Sequence, residues 1–125
     1  MKYLLLIYNN PASRESGSEA DLAKLMQGHI SLYQELASAG KVVSSAALTD
    51  PPRATTVRVS GGVPAVTDGP FLEAKEYLAG YYLVDCDTPD EAAEIAARIP
   101  CGVTGAVEIR PIDEQVTGLV RGEAG

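Results

Sequence analysis

The chain has few of the residues from which several common kinds of functional site are built. Its 125 residues include one histidine, two cysteines and no tryptophan. A zinc site made of cysteine and histidine is therefore not expected, since no Cys-x-x-Cys pair occurs either. The sequence also has no Gly-x-Gly-x-x-Gly, P-loop or Gly-x-Ser-x-Gly motif, so nucleotide cofactors and serine hydrolysis have no motif support. We predict neither a metal nor a cofactor.

Positive charge is also scarce, because ten Lys and Arg residues face 17 Asp and Glu residues and the formal net charge is −7. Binding to nucleic acid or to an anionic membrane surface needs a basic patch. The longest apolar run, residues 3–8, is far shorter than the about 20 residues of a membrane-spanning helix. The N-terminus lacks the long apolar core of a signal peptide. We expect a cytoplasmic protein without nucleic-acid or membrane partners, in which Cys86 and Cys101 are reduced.

Apolar periodicity, turn residues and capping residues predict strands that alternate with helices in a chain of one domain's length. Ser18 and Asp21 form a capping pair that begins the first helix, and Gly40 ends it. The apolar face of this helix is predicted to consist of Leu22, Leu25, Met26, His29, Tyr33 and Leu36. The other predicted elements are strands at 3–8, 42–48, 77–84 and 106–110, a hairpin at 55–67 and a helix at 89–99.

This order predicts an α+β, ferredoxin-like βαββαβ fold with an inserted β-hairpin, built from residues 1–112. Two helices cover only one face of such a sheet, yet the strand at 3–8 is apolar on both faces. A second copy of the chain is the simplest cover for the other face, so we predict a homodimer packed sheet to sheet toward a barrel. Residues 113–125 show little periodicity and are predicted to be a tail that is mobile or depends on a partner.

One segment combines a tight turn with several ionisable side chains. Asp68-Gly69-Pro70 is a turn sequence, and Glu73, Lys75 and Glu76 follow it closely. One interpretation is a solvated connection between two strands. The other is a loop on a rigid sheet that presents Asp68 and Glu73 to a pocket, which is where binding groups often lie.

The same segment, Asp68-Gly69-Pro70-Phe71 followed by Glu73-x-Lys75-Glu76, closely resembles the motif of the DGPF-type, YCII-related proteins. The first eight residues resemble the first strand of that family, and the segments at 81–84, 97–100 and 107–111 are also similar. The resemblance covers about residues 1–112. Leu72 and Ala74 depart from it, because Ala and Thr are typical at these positions.

The resemblance implies the dimeric α/β-barrel superfamily, whose members include lactone isomerases, dehalogenating lyases and cofactor-free monooxygenases. It also implies a pocket between sheet and helices with a histidine and an aspartate. Some relatives lie beside or are fused to extracytoplasmic-function sigma factors. The resemblance therefore implies either a small-molecule enzyme or a protein that works through a partner.

His29 is the only histidine, and it has two interpretations. It is either a core histidine with one hydrogen bond or a general acid or base, with Asp68 as its catalytic partner. Glu73 and Tyr82 are candidates for orienting a substrate. The resulting hypothesis is a small-metabolite-binding protein that acts as a cofactor-free isomerase or lyase by His/Asp proton transfer. The alternative is a non-catalytic ligand sensor or a partner of an extracytoplasmic-function sigma factor.

Overall fold

A computed structural model of the protein describes residues 1–10, 18–72, 75–100 and 105–123. The elements in these residues are β1 (Lys2–Asn9), α1 (Glu19–Ser38), β2 (Val42–Ala47), a 3-10 turn (Pro51–Arg53), β3 (Thr55–Ser60), β4 (Val63–Asp68), β5 (Tyr77–Asp85), α2 (Pro89–Arg98), β6 (Ala106–Pro111) and α3 (Glu114–Val120). None of the described helices combines the length and apolar character that crossing a bilayer requires.

The strands form two separate sheets. The larger sheet has the order β2-β5-β1-β6, and each neighbouring pair in it is antiparallel. Strands β3 and β4 pair only with each other as a hairpin inserted between β2 and β5. The predicted α+β, ferredoxin-like fold with an inserted hairpin is confirmed. β1 is one of the two inner strands of this sheet, which agrees with its continuously apolar sequence.

The core lies between the larger sheet and the helices α1 and α2. Alternate residues of β1 and β5 point into it, because side chains alternate between the two faces of a strand. Leu5 and Val84 are completely buried there. The other buried apolar side chains are Tyr3, Ile7, Leu32, Leu36, Tyr82, Cys86, Ala92, Ile95 and Ile99.

Helix α1 begins at the predicted capping pair, but the face that packs against the core differs from the predicted one. The Ser18 side chain accepts from the Asp21 amide, and the Asp21 side chain accepts from the Ser18 amide. The face toward the core, however, consists of Leu25, Gly28, His29, Leu32 and Leu36, while Leu22, Met26 and Tyr33 are exposed. The predicted face was therefore partly wrong. Apolar residues cover a broad arc of this helix, and at 3.6 residues per turn the exposed three lie roughly 80° away from the buried centre.

The strands β5 and β2 approach each other closely at Gly80. A side chain placed there would bring its Cβ within 2.7 Å of the Ala46 backbone oxygen on β2. The pairing of β1 with β5 also shifts register beside this residue, between Ile7 and Tyr8. Gly80 therefore allows β1, β5 and β2 to pack closely at this point, which lies two residues before Tyr82 on β5.

The C-terminal segment contains a helix that the sequence did not predict. α3 is seven residues long, and the Asp113 carboxylate caps it by accepting from the Val116 amide at 2.9 Å. The periodicity was hard to recognise because the helix is short and contains Thr117 and Gly118, which are poor helix formers.

Candidate functional site

The structure brings His29 of α1 and Tyr82 of β5 together, although 53 residues separate them in the chain. The imidazole Nδ1 lies 2.9 Å from the Tyr82 hydroxyl oxygen, which is hydrogen-bonding distance. The two rings are tilted by 52° with their centres 6.2 Å apart. Tyr82 is 6% exposed and His29 is half-buried. The pair thus lies at the edge of the core, on the side of the sheet that the helices cover.

Two residues that the sequence analysis did not single out set the position of His29. A Cβ atom at Gly28 would lie 2.9 Å from Cγ of Pro100, so only a glycine lets this turn of α1 lie against the end of α2. A glycine in the interior of a helix costs about 1 kcal/mol relative to alanine, so it usually has a packing reason. Gly28, directly before the only histidine, was the signal that could have identified this contact.

The surroundings of His29 favour a neutral imidazole. Burial lowers the pKa of His29, because the charged form loses hydration, and an interaction with the backbone of Pro100 partly offsets this. Burial also raises the pKa of Tyr82. Both shifts favour the uncharged forms, so the pair is a neutral phenol and a neutral imidazole at pH 7 rather than an ion pair.

The tautomer of His29 decides the direction of its hydrogen bond with Tyr82. With the proton on Nε2, Nδ1 carries the lone pair and the Tyr82 hydroxyl donates to it at 2.9 Å. In this tautomer Nδ1 is the basic atom of the pair.

Asp68, the predicted partner of His29, lies elsewhere. It is the last residue of β4, it is exposed, and it stands opposite Thr55 in the hairpin. Within the described residues, the ring of His29 hydrogen bonds to Tyr82, and burial and Pro100, not Asp68, shift its pKa. The structure therefore does not bring the two predicted catalytic residues into contact, and the catalytic role of Asp68 stays a prediction. Glu73, the other predicted binding carboxylate, lies outside the described residues.

The turn after Asp68 is anchored back onto β3. Gly69 has a φ of 105°, which favours glycine, and its amide donates to the Ala54 carbonyl at 2.7 Å. The Thr56 hydroxyl donates to the Gly69 carbonyl, also at 2.7 Å. The Arg58 guanidinium lies 4.6 Å from the centre of the Phe71 ring, a cation–π contact. These contacts give most of the Asp-Gly-Pro-Phe segment a structural role.

A broad cleft of about 1480 Å³ separates the base of the hairpin from the nearby end of the larger sheet. Its walls are mostly apolar and include Tyr8, Leu48, Val57, Phe71, Leu72 and Leu78. Arg58, Lys75 and Glu76 supply the charged groups at its edge. The cleft does not include His29 or Tyr82, so the hairpin side and the helix side of the molecule hold two distinct surfaces.

The described residues contain no group of three or more His, Cys, Asp or Glu side chains placed to hold a metal ion. Cys86 is a buried free thiol, and burial raises its pKa, which keeps it in the poorly nucleophilic thiol form. Cys101 lies outside the described residues. The described part of the chain thus offers the His29–Tyr82 pair as its candidate chemical centre.

Comparison with known proteins agrees with the resemblance noted in the sequence. The YCII-related domain family matches residues 1–115. An uncharacterized protein of Rhizobium meliloti (strain 1021) is 35% identical over 114 residues, which cover 90% of this chain and 92% of that protein. The family match covers all strands of the larger sheet, the hairpin and both core helices of this chain.

Proposed function

This chain belongs to the YCII-related family, and we propose that it is a homodimer that binds a small carbonyl metabolite beside His29 and Tyr82 and transfers a proton on it without a cofactor. The contact of 2.9 Å between Nδ1 and the Tyr82 hydroxyl carries this proposal. It combines a neutral base with a hydrogen-bond donor, at the edge of a water-poor core.

In the proposed reaction, the Tyr82 hydroxyl turns from Nδ1 to the carbonyl oxygen of the substrate and donates a hydrogen bond to it. Nδ1 of His29 then takes a proton from the carbon next to the carbonyl. The C–H electrons move toward the carbonyl oxygen and form an enolate, which the Tyr82 hydrogen bond stabilises. Return of the proton to another carbon gives an isomerisation, and loss of a leaving group from the adjacent carbon gives an elimination.

The direction of the pKa shift of His29 supports its role as a base. A base must be unprotonated before it can accept a proton, and burial lowers the pKa of this imidazole. The ring of His29 is half-buried rather than fully buried, so part of it remains in contact with solvent. The raised pKa of Tyr82 keeps the phenol protonated, as a donor to the enolate oxygen must be.

The uncovered face of the larger sheet supports the homodimer. Leu4 pairs with Leu83 and Leu6 pairs with Tyr81 on the face that points away from the core, and all four are only half-buried. A second copy packed against this face would remove the apolar stripe from water.

The test follows proton exchange at carbon. Small cyclic ketones and unsaturated lactones are incubated in D2O with the wild type, His29→Gln, Tyr82→Phe and Asp68→Asn, and NMR follows deuterium at the carbon next to the carbonyl. We expect exchange with the wild type, none with His29→Gln, slower exchange with Tyr82→Phe and little change with Asp68→Asn. Equal exchange by the wild type and His29→Gln would overturn the catalytic proposal.

The same experiment addresses the two alternatives from the sequence. If Asp68→Asn lost as much exchange as His29→Gln, the His29–Asp68 pairing would replace the His29–Tyr82 centre. If a compound shifted the resonances around His29 without any exchange, a non-catalytic ligand sensor, or a partner of an extracytoplasmic-function sigma factor, would be the better proposal.

A further inference from the structure

Helix α3 has an apolar stripe that points into solvent. Val116, Leu119 and Val120 lie on one side of the helix, at spacings of three and four, and are 53–83% exposed. Both ends of the helix are nevertheless well formed, with Asp113 as the N-cap and Gly122 at a φ of 72° after the last turn. A seven-residue helix is far too short to be stable by itself in water, so its apolar stripe needs a cover.

The cleft beside the hairpin has a sufficient size and a matching apolar character. Its volume is about 1480 Å³, and Val57, Phe71 and Leu72 in its walls are each more than half exposed. A seven-residue helix is about 10 Å long and about 10 Å across, so it occupies roughly 800 Å³ and fits with its side chains.

The charges of the two surfaces are complementary as well. The cleft holds two cations, Arg58 and Lys75, and one acid, Glu76. The segment around α3, residues 113–123, holds three acids and one cation. In a chain with a net charge of −7, the cleft is a locally basic place that suits an acidic segment.

The helix cannot fill the cleft of its own chain. α3 follows Ile112, whose amide donates to the Lys2 carbonyl at the first residue of β1. The cleft lies at the other end of β1, at Tyr8. Six residues of a strand separate these ends by about 20 Å.

We propose that α3 of one copy occupies the cleft beside the hairpin of the other copy in a two-fold, sheet-to-sheet dimer. This rests on the homodimer of the proposed function and adds the contact that locks it. In this dimer the two-fold axis lies between the two sheets and runs perpendicular to the strands. The rotation therefore places the Lys2 end of one β1 opposite the Tyr8 end of the other. The same operation brings each α3 to the strand end at which the cleft of its partner lies, so both contacts can form in one two-fold arrangement.

Disulfide trapping tests the contact directly. The double variant Leu72→Cys/Leu119→Cys, in a Cys101→Ser background, is oxidised and analysed on a non-reducing gel and by peptide mass spectrometry. We expect a covalent dimer that contains a 72–119 disulfide. The matched control, Met26→Cys/Leu119→Cys, moves the first cysteine to a site on α1 that is also more than half exposed. A 72–119 yield no greater than the 26–119 yield would overturn the proposal.

The oligomeric state separates failure of this contact from failure of the dimer. Light scattering during size exclusion compares the wild type with Leu119→Asp and with the control Met26→Asp. We expect Leu119→Asp to weaken dimerisation by about tenfold or more, because it buries an unpaired carboxylate, and Met26→Asp to have no effect. A dimer unchanged by Leu119→Asp overturns the α3 contact alone. A monomeric wild type overturns both the contact and the proposed homodimer, while the exchange test of His29 stays independent.

Discussion

The helix-covered side of the larger sheet and the inserted hairpin differ sharply in how they use apolar residues. On the helix side, Leu5 and Val84 are completely buried, and Tyr82 holds His29 in a defined hydrogen bond. On the hairpin, Val57 faces Val66 across the strands and both remain more than half exposed. A two-stranded hairpin is marginally stable by itself, so the second region depends on a surface outside it.

The recognisable sequence motif and the candidate chemical centre lie in different regions. The Asp-Gly-Pro-Phe segment lies on the exposed hairpin side, where Gly69 and Phe71 fasten the turn to β3. The pair with shifted pKa values, His29 and Tyr82, lies on the packed side. A conspicuous sequence motif can therefore serve the architecture of the hairpin, while the candidate chemistry depends on two residues far apart in the chain.

The largest predicted effect comes from truncating the same kind of side chain in the two regions. Leu5→Ala leaves a cavity in the packed core and should lower the free energy of unfolding by about 2–5 kcal/mol. Val59→Ala, at a site 66% exposed on the hairpin, should change it by less than about 0.5 kcal/mol. Urea unfolding at low protein concentration measures both. Similar losses from the two variants would show that the hairpin is packed within one chain.

Gly80 gives the next largest effect. Gly80→Ala places a Cβ within 2.7 Å of the Ala46 backbone oxygen. Because this oxygen belongs to the backbone of a neighbouring strand, it cannot easily move away, and the variant should lose about 1–3 kcal/mol of stability. Gly118→Ala is the matched control, because its Cβ would meet nothing closer than the Glu123 carboxylate at 3.6 Å. That variant should gain up to about 1 kcal/mol of helix stability. If thermal unfolding showed Gly80→Ala to be more stable than Gly118→Ala, the result would contradict the strand pairing at Gly80.

The contribution of His29 to stability should depend on pH in one direction. Burial places the pKa of folded His29 below the ordinary value of 6.5, so the unfolded chain binds the proton first as the pH falls. The contribution of neutral His29 to the free energy of unfolding is therefore fully present above about pH 7. It declines as the pH falls below about 6.5, and the decline ends once the pH is below the pKa of His29 in the folded protein. The chain has no other histidine, so His29→Gln should remove this part of the pH dependence. Identical stability profiles of the wild type and His29→Gln between pH 5 and pH 8 would contradict the shift.

Much of the packed region could be predicted from the sequence, because local signals determine it. Ser18 caps the helix that it was expected to cap, and the second helix, Pro89–Arg98, lies within its predicted range of 89–99. The pairing of His29 with Tyr82 could not be predicted in the same way. It depends on how α1 is rotated about its own axis over β5. The apolar periodicity of α1 does not determine this rotation, because two overlapping faces of the helix are apolar. Gly28 carried that information, but only together with Pro100, which lies 72 residues away in the chain.

The smallest predicted effect tests the fastening of the turn on the hairpin side. Arg58 lies 4.6 Å from the centre of the exposed Phe71 ring, and an exposed cation–π contact of this kind contributes about 0.5–1 kcal/mol. Arg58→Gln should therefore lower stability by no more than this amount, while Arg53→Gln, at the end of the exposed 3-10 turn, should leave it unchanged. Urea unfolding of the two variants at one low concentration makes the comparison. An equal effect of both would mean that Arg58 acts through general charge rather than through Phe71. A loss that grows with protein concentration for Arg58→Gln alone would instead place Arg58 at the interface between copies, because subunit association then contributes to the measured stability.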